Sequence, residues 1–300
     1  MTSPSESIRL CIIGDIAMDV HVGMAGAFPT DVNVNGNTPS LVELIPGGAA
    51  ANTALWARAS GSSVRLISTI GEDLIGEALQ EHLEAFGVDG FLELIPDVPS
   101  GSVVVVSDAT GARTMFPSPG TNEYLSQPWV LAGLCGQHVH VNGYGLARKA
   151  TRQTYLNVIR EARTRGMSVS YDVASFEIVR EHWASVESAA RLSDVVFLND
   201  DEWRASPPAT LRNLSEDRLV VHMMGALGCE AWQGDQRWSI PAPNIEIADT
   251  VGAGDAFTAG FLSRFIQGEN VADCLKQARA VAGACVARVG ACPALPTLKG

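Results

Sequence analysis

The residues with the clearest capacity for chemistry lie together near the end of the chain, in the stretch DTVGAGD at positions 249–255. Phe257, Phe261 and Phe265 follow at helical spacing, so we expect a helix to begin near Ala253. The first turn of a helix carries unpaired N–H groups that favour an anion, and glycine lets the backbone approach a ligand closely. The pattern predicts an anion-binding site made by the backbone.

An aspartate lies inside this positive helix end. Asp255 can accept a proton from a substrate hydroxyl while the amides of Gly252, Ala253 and Gly254 hold the phosphoryl group under attack, as phosphoryl transfer requires. The simpler interpretation is a first-turn carboxylate that only stabilises the helix, by roughly 0.3–1 kcal/mol. The spacing favours the catalytic interpretation, and we expect the helix end to lower the pKa of Asp255.

Other phosphate-binding patterns are missing from the sequence. None of the three lysines completes GxxxxGK[ST], which excludes a Walker-type NTPase. The dinucleotide fingerprint lacks its third glycine, because Phe257 stands in that place. The HRD and DFG signatures of protein kinases are also absent from the sequence.

The composition describes a globular chain with an acidic surface. Its 300 residues are 46% hydrophobic and 18% charged, which argues against disorder and allows a large core. The 33 Asp+Glu and 21 Lys+Arg give a net charge of −12, which argues against nucleic acid as a partner because such binding needs clustered cations. An anionic ligand must therefore be held locally, by backbone N–H groups, helix ends or a bound cation.

The cysteines and the start of the chain indicate where the protein acts. The six cysteines have no zinc-binding spacing, which is typical of reduced thiols. The polar segment Met1–Ser7 resembles no signal peptide, and no apolar run approaches the roughly 20 residues needed to cross a bilayer. We expect a cytoplasmic protein with no membrane partner.

Short β-rich runs alternate with helical patterns along most of the chain, which predicts an α/β fold with a parallel sheet covered by helices on both faces. We expect strands at Ile8–Ile13, Val64–Ile70, His138–Val141, Met167–Tyr171, Asp194–Leu198 and Leu219–Met223. We expect helices at about Ala50–Ala59, Leu74–Phe86, Lys149–Thr164, Phe176–Leu192, Ala253–Ile266 and Val271–Arg288. No linker divides the chain, so we expect one domain over residues 1–300.

Two segments interrupt this alternation. Met18–Pro46 is long and rich in Gly, Asn and Pro, and Gly101–Phe116 contains an alternating valine run followed by a turn at Ala109–Gly111. A long segment of this kind in a compact domain usually has a function. We therefore expect residues 18–46 and 101–116 to form a small separate sheet that covers a site, with a surface hairpin as the alternative.

Two separated motifs make the chain resemble the ribokinase-like (PfkB-type) family of sugar and nucleoside kinases. The stretch 249–255 resembles the C-terminal signature of the family, and GGAAANTA at 47–54 resembles its N-terminal glycine pair with the helix that follows. The resemblance covers essentially the full length and implies a Rossmann-like α/β fold with a β-lid. It also implies ATP as phosphoryl donor, a hydroxymethyl group as acceptor, Asp255 as base and Gly252–Gly254 as anion hole.

The resemblance extends to the residues that bind the acceptor. The segment GDIAMD at 14–19 resembles a family segment in which an acidic side chain binds sugar hydroxyls, and Asp19 aligns with that side chain. A carboxylate suits this task because it accepts hydrogen bonds from two neighbouring hydroxyls. For Asn52 a helix-start cap is an equal alternative. The implied acceptor-binding residues are Asp15, Asp19, Gly47, Gly48, Asn52 and Asn142.

The donor end follows from the same resemblance. NDDE at 199–202 resembles the Asn-x-x-Glu motif that organises magnesium and phosphates, which implies Glu202 as a Mg²⁺ residue acting through water. The segment 225–228 resembles the nucleotide-phosphate loop, and Asp249 lies near an implied site for a monovalent cation such as K⁺. The implied ATP-binding residues are Asn199, Gly225, Gly228 and Gly254.

Departures from the family pattern leave the acceptor open. Ala17 and the pair Ala49-Ala50 stand where ribokinases usually carry other residues, which argues against ribose, and Ala294 lacks a hydroxyl that a cation site would use. A nucleoside kinase and a non-catalytic sugar- or nucleotide-sensing protein are the alternatives. Asp255 and Glu202 favour an enzyme, and the resemblance implies a homodimer joined through the lids.

Overall fold

The computed structural model describes residues 9–110 and 113–294, which form two β-sheets with helices packed around the larger one. The strands, numbered along the chain, are β1 (Leu10–Ile13), β2 (Ala17–Met24), β3 (Ser40–Gly47), β4 (Val64–Gly71), β5 (Asp89–Ile95), β6 (Ser102–Ser107), β7 (Arg113–Ser118), β8 (His138–Asn142), β9 (Ser168–Asp172), β10 (Val195–Asn199), β11 (Leu219–Met223), β12 (Cys229–Gln233) and β13 (Gln236–Ile240). The α-helices are α1 (Ala49–Ala59), α2 (Leu74–Phe86), α3 (Gln127–Gly133), α4 (Tyr144–Ala147), α5 (Arg152–Thr164), α6 (Phe176–Leu192), α7 (Asp200–Ala205), α8 (Pro208–Ser215), α9 (Ala253–Phe265) and α10 (Val271–Val286).

The main sheet has the strand order β13-β12-β11-β10-β9-β8-β1-β4-β5. The strands from β5 to β11 in this order pair in parallel, which confirms the expected α/β fold. At the other edge β12 and β13 are antiparallel, a correction to the purely parallel sheet. This hairpin was not predicted, although the two residues that join its strands, Gly234 and Asp235, are of the types that favour a tight hairpin turn.

Helices cover both faces of the main sheet, as predicted. Along β1, Leu10 and Ile12 enter one apolar core while Cys11 and Ile13 enter the other, because successive side chains of a strand point to opposite faces. The first core contains apolar residues of α1, α2, α9 and α10. The second contains apolar residues of α3, α4, α5, α6 and α8.

Element boundaries agree with the predictions where the chain has strong local signals. The predicted bounds of α2 and α6 are confirmed, and the side chain of Asp73 caps α2 by accepting a hydrogen bond from Gly76 N. The helix predicted from Lys149 begins at Arg152, because extended backbone at Arg148 separates α4 from α5. The strand predicted from Ile8 is observed from Leu10, and Ile8 lies outside the described residues.

The two interrupting segments form a second sheet with the order β3-β2-β6-β7, which we call the lid sheet. Its central strands β2 and β6 pair in parallel, and β3 and β7 pair antiparallel at the edges. The strands reach slightly beyond the predicted segments, to Gly47 and Ser118, and part of the predicted turn, Gly111, lies outside the described residues. β2 follows β1 after three residues, so the lid sheet is joined directly to the main sheet.

In the described part of the chain, no helix combines the length and the apolar character needed to span a membrane.

Candidate active site

A cavity of about 820 Å³ lies where the carboxyl ends of the parallel strands meet the lid sheet. In open α/β sheets, ligands bind at this end of the strands. Most of the predicted site residues line the cavity. They are Asp15, Asp19, Gly48, Asn52, Asn142, Asn199, Glu202, Gly225, Gly228, Gly252, Ala253, Gly254 and Asp255.

The start of α9 forms the floor of this cavity. Gly252 is the N-cap residue with φ +74°, and a Cβ there would lie 2.6 Å from the Cβ of Ala291, so only glycine fits. The first helical hydrogen bond is donated by Ala256 N to Gly252 O. The N–H groups of Gly254 and Asp255 precede that bond and have no helical acceptor, which makes them available to an anion in the cavity.

Asp255 faces the cavity from the first turn of α9. Its Oδ2 accepts a hydrogen bond of 3.0 Å from Asn52 Nδ2, which orients the carboxylate. Burial, together with the charges of Asp172 and Asp19, raises the pKa of Asp255 to about 8, although the hydrogen bond from Asn52 opposes the shift. The expectation that the helix end lowers this pKa is therefore wrong, because loss of bulk water and like charges outweigh the helix N-terminus.

Asn52 connects the two glycine-rich motifs. The alternative role of Asn52 as a helix cap is wrong, because α1 begins after the N-cap residue Gly48 and Asn52 lies within its first turn. The Asn52 side chain reaches across to α9, 203 residues further along the chain, to bind Asp255. This contact brings the N-terminal and C-terminal motifs into one site.

The part of the cavity lined by the predicted acceptor-binding residues, which we call the acceptor end, is rich in carboxylates. Asp19, on the lid strand β2, is 8% exposed and faces the cavity, and burial raises its pKa to about 6. Asp15 follows β1, and its carboxylate accepts hydrogen bonds from both terminal nitrogens of Arg148. The distance between Nη1 and Oδ1 is 2.7 Å. Asn142 ends β8, and its Oδ1 accepts a hydrogen bond from Tyr144 N.

The two glycines at the end of β3 serve different purposes. Gly48 lines the cavity with φ +94°, and a Cβ there would lie 2.7 Å from Asp15 O. Gly47 does not contribute to the lining. A Cβ at Gly47 would lie 2.7 Å from Asp19 Oδ2, so this glycine makes room for the carboxylate. The proposed direct contact of Gly47 with the acceptor stays a prediction.

The part of the cavity lined by the predicted ATP-binding residues, which we call the donor end, carries two buried carboxyl groups. Glu202 accepts hydrogen bonds from the backbone and side-chain nitrogens of Asn199, which caps α7. Burial, together with the charge of Asp172, raises the pKa of Glu202 to about 8. Asp172, at the end of β9, accepts hydrogen bonds from Ala174 N and Thr258 Oγ1, and burial raises its pKa to about 6.

The segment after β11 supplies the remaining wall of the donor end. Gly225 and Gly228 bound a tight turn with positive φ values, and a Cβ at Gly228 would lie 2.1 Å from Ile240 O. Both glycines line the cavity. The same cavity is also lined by a group of apolar residues: Ala242, Pro243, Ile245, Ala282 and Val286.

Asp249 is buried outside the cavity lining and has other partners. Its carboxylate accepts hydrogen bonds from Val251 N and Gly290 N and forms an ion pair of 2.7 Å with Arg113 on β7. These backbone hydrogen bonds and the Arg113 guanidinium lower the pKa of Asp249, although burial opposes them. Arg113 already balances the charge of Asp249, and potassium binding near this residue stays a prediction.

Sequence reasoning missed two site residues, Arg148 and Asp172. Arg148 follows a short helix and lies 133 residues from its partner Asp15, so spacing along the chain carries no signal of this ion pair. Asp172 directly follows the predicted strand Met167–Tyr171 and ends β9 in the structure, at the same edge of the sheet as Asn142 and Asn199. That position was a usable signal, because polar residues at the carboxyl ends of parallel strands converge on one site.

The fold and this site define a ribokinase-like α/β protein. The PfkB family of carbohydrate kinases matches residues 7–298, so the chain belongs to that family. It is 27% identical over 274 residues to an aminoimidazole riboside kinase of Salmonella typhimurium, covering 84% of this chain and 85% of the relative. It is 24% identical over 296 residues to the ribokinase of Bacillus subtilis, covering 96% of each chain.

Solved structures share the fold over nearly the whole chain. The adenosine kinase of Sinorhizobium meliloti superposes with a TM-score of 0.84 at 20% identity, covering 96% of each chain. An Escherichia coli protein solved with ATP and Mg²⁺ superposes with a TM-score of 0.83 at 21% identity, covering 95% of this chain and 94% of that one. The named relatives of this chain are kinases, which supports phosphoryl transfer as its activity.

Proposed function

We propose that the protein transfers the terminal phosphoryl group of ATP to a hydroxymethyl group of a small sugar or sugar derivative. The observation that carries the proposal is the position of Asp255. Its carboxylate faces the cavity beside two N–H groups that have no helical acceptor, between an acceptor end and a donor end. A base next to an anion hole is the arrangement that phosphoryl transfer to an alcohol requires.

The residues at the start of α9 and the neighbouring Asn52 have different roles in the proposed reaction. Asp255 accepts the proton of the attacking hydroxyl, and Asn52 holds the carboxylate in place through the hydrogen bond to Oδ2. The N–H groups at the start of α9 stabilise negative charge on the transferring group. The lid sheet closes over the reacting groups and excludes water, which limits hydrolysis of ATP.

Magnesium fits the donor end of the cavity. Glu202 and Asp172 are buried carboxyl groups with raised pKa values, so a cation between the protein and the ATP phosphates would stabilise their charged forms. These two residues are the ones that would hold Mg²⁺, directly or through water. When bound, Mg²⁺ supplies positive charge that offsets the charge on the donor phosphates.

A nucleoside is the alternative acceptor. An aromatic lid would favour it, but the lid rings of Phe28 and Phe116 contact each other and neither lines the cavity within the described residues. The lid instead contributes Val103, Met115 and Pro117 to the lining, so the described lid lacks the aromatic rings that would favour a nucleoside. One observation favours a nucleoside: the aromatic residue Tyr144 lines the acceptor end of the cavity.

ADP release in a coupled assay tests the proposed function. We expect ADP formation that depends on one acceptor in a panel of pentoses, hexoses, ketodeoxy acids and nucleosides, with ATP alone as the control. A sugar would support the proposal and a nucleoside would select the alternative. Binding of ATP and of an acceptor without any ADP release would identify a non-catalytic sensing protein.

The outer face of the lid sheet supports the implied homodimer. The strand register places Val42, Leu44, Val104 and Phe116 side by side on the face opposite the cavity, and they are at least one-third exposed. An apolar stripe of this kind is typical of a protein interface. We propose that two copies of the chain pack through it.

Replacement of Leu44 by aspartate is expected to separate the dimer, because a buried unpaired carboxylate disfavours the interface. Sedimentation equilibrium would then give the monomer mass at concentrations where the unmodified protein is dimeric. Leu74→Asp is the matched control, since Leu74 is exposed on α2 outside the lid sheet. A dimer that survives Leu44→Asp, or an unmodified protein that is already monomeric, would contradict this interface.

A further inference from the structure

The charges that line the cavity are unbalanced. Five carboxyl groups face it, and the cationic side chains among the described lining residues are Arg148 and Arg279. Arg279 lies on α10 at the donor end, where its Nη1 contacts Pro241 O at 3.4 Å. Arg148 is therefore the cation that an acceptor would meet. The five carboxyl groups belong to Asp15, Asp19, Asp172, Glu202 and Asp255.

Arg148 is already occupied. Its two terminal nitrogens bind the two carboxylate oxygens of Asp15, and Nη1 also contacts Asn122 O at 3.3 Å. The side chains of Arg148 and Asp15 are 16% and 14% exposed, so water screens the pair weakly. A guanidinium held by a carboxylate in this two-pronged geometry has little positive charge left for a second anion.

Unlike Arg148, Asp19 has no partner for its charge among the described residues. The residue is 8% exposed, and its side chain lines the cavity and has no hydrogen-bond partner among the described residues. A buried carboxylate without partners needs donors, and the hydroxyl groups of a ligand supply them. An anionic group in the same place would add a like charge and leave Asp19 unpaired.

We propose that the acceptor is an uncharged polyhydroxylated molecule, and that Asp15 excludes sugar acids and sugar phosphates by occupying Arg148. The inference rests on the proposed function and narrows its substrate class. Asp19 selects hydroxyl groups, and the Asp15–Arg148 pair removes the cation that an anionic acceptor would use. Asp15 is thus a specificity-determining residue.

Matched acceptors test the proposal in the full-length protein. Glucose with glucuronate, and ribose with ribose 1-phosphate, differ within each pair by one anionic group. For any pair that is used, we expect kcat/KM of the neutral member to exceed that of the acid at least 100-fold. An acid that reaches one-tenth of the kcat/KM of its neutral partner, or more, would overturn the proposal.

Asp15→Asn tests the residue itself. The substitution keeps the side-chain size and frees the charge of Arg148, so the neutral-to-acid ratio should fall at least tenfold. In the double variant Asp15→Asn/Arg148→Gln the ratio should return toward its original value. Asp89→Asn is the matched control, because it breaks an Arg–Asp pair with Arg65 outside the cavity and should leave the ratio unchanged. An unchanged ratio in a folded Asp15→Asn would overturn the role of Asp15.

If the proposed function itself is wrong, the assays will give a different result from a failure of this inference. No acceptor would then release ADP, and isothermal calorimetry with the same pairs would decide the inference by binding alone. At least 100-fold tighter binding of a neutral member would support it, and equal or tighter binding of the acid would overturn it. If Asp15→Asn does not fold, the ratio in the unmodified protein decides.

Discussion

Replacement of Asp255 by asparagine lowers kcat by about 10³-fold, the size of effect expected for loss of a general base. The affinity for ATP should stay within a few-fold, because the amides at the start of α9 and the donor-end residues are unchanged. Asn52 can still donate its hydrogen bond to the amide oxygen of the new side chain. Stopped assays of phosphoryl transfer and calorimetry with ATP separate these two effects.

A structural defect would not mimic this result. Burial raises the pKa of Asp255, so the folded protein disfavours the ionised form and loses stability as pH rises from the ordinary aspartate range to about 8. Removing the carboxyl group should therefore leave the unfolding temperature equal or higher at neutral pH. Asp273→Asn, in the exposed first turn of α10, is the matched control and should keep full turnover. Near-normal turnover by Asp255→Asn would remove this residue from the base role.

The raised pKa also predicts a pH profile. Asp255 works as a base only when ionised, so kcat/KM for the acceptor should rise about tenfold per pH unit up to about pH 8 and then level off. The residual activity of Asp255→Asn should lack this rise. A profile that is already flat from pH 5 upward would mean that the carboxyl group is ionised throughout and that burial does not control it.

Gly252→Ala should reduce kcat about 10²-fold, the effect of losing one donor of an anion hole. The new Cβ would lie 2.6 Å from the Cβ of Ala291 and 2.9 Å from its Cα, so the backbone at the start of α9 must move. That movement displaces the N–H groups of Gly254 and Asp255 from the transferring group. Turnover and unfolding temperature should be measured together.

Gly268→Ala separates steric displacement from backbone strain. Gly268 has φ +79°, close to the +74° of Gly252, but a Cβ there has nothing within 4 Å. Both variants carry the cost of an alanine in the left-handed region, of about 1–2 kcal/mol. Only Gly252→Ala should also lose turnover. Equal kcat values in the two variants would mean that the anion hole tolerates this shift.

Local signals in the sequence were sufficient for the framework of the site. The phenylalanine spacing placed the start of α9 at Ala253, where the structure has it, and the alternation of strands and helices predicted the sheet. The lid sheet was predicted because its two segments lacked the helical period. These features depend on neighbours along the chain, which a sequence displays directly.

Features that depend on distant contacts could not be predicted in this way. The pairing of Asp15 with Arg148 joins residues 133 positions apart, and the acidity of Asp255 depends on Asp172 and Asp19 from two other elements. The helix N-terminus alone suggested a lowered pKa, which is the wrong direction. Burial and the sum of nearby charges emerge only when the chain is folded.

The ion pair between Arg113 and Asp249 gives the lid sheet a link to the phosphate-binding loop. Arg113 belongs to β7, and Asp249 also anchors Val251, the residue before Gly252. An outward movement of the lid would break this pair and leave the loop with one anchor fewer. In the proposed reaction, the residues around the γ-phosphate would then be best ordered only when a bound acceptor keeps the lid closed, which would reduce hydrolysis of ATP in the absence of acceptor.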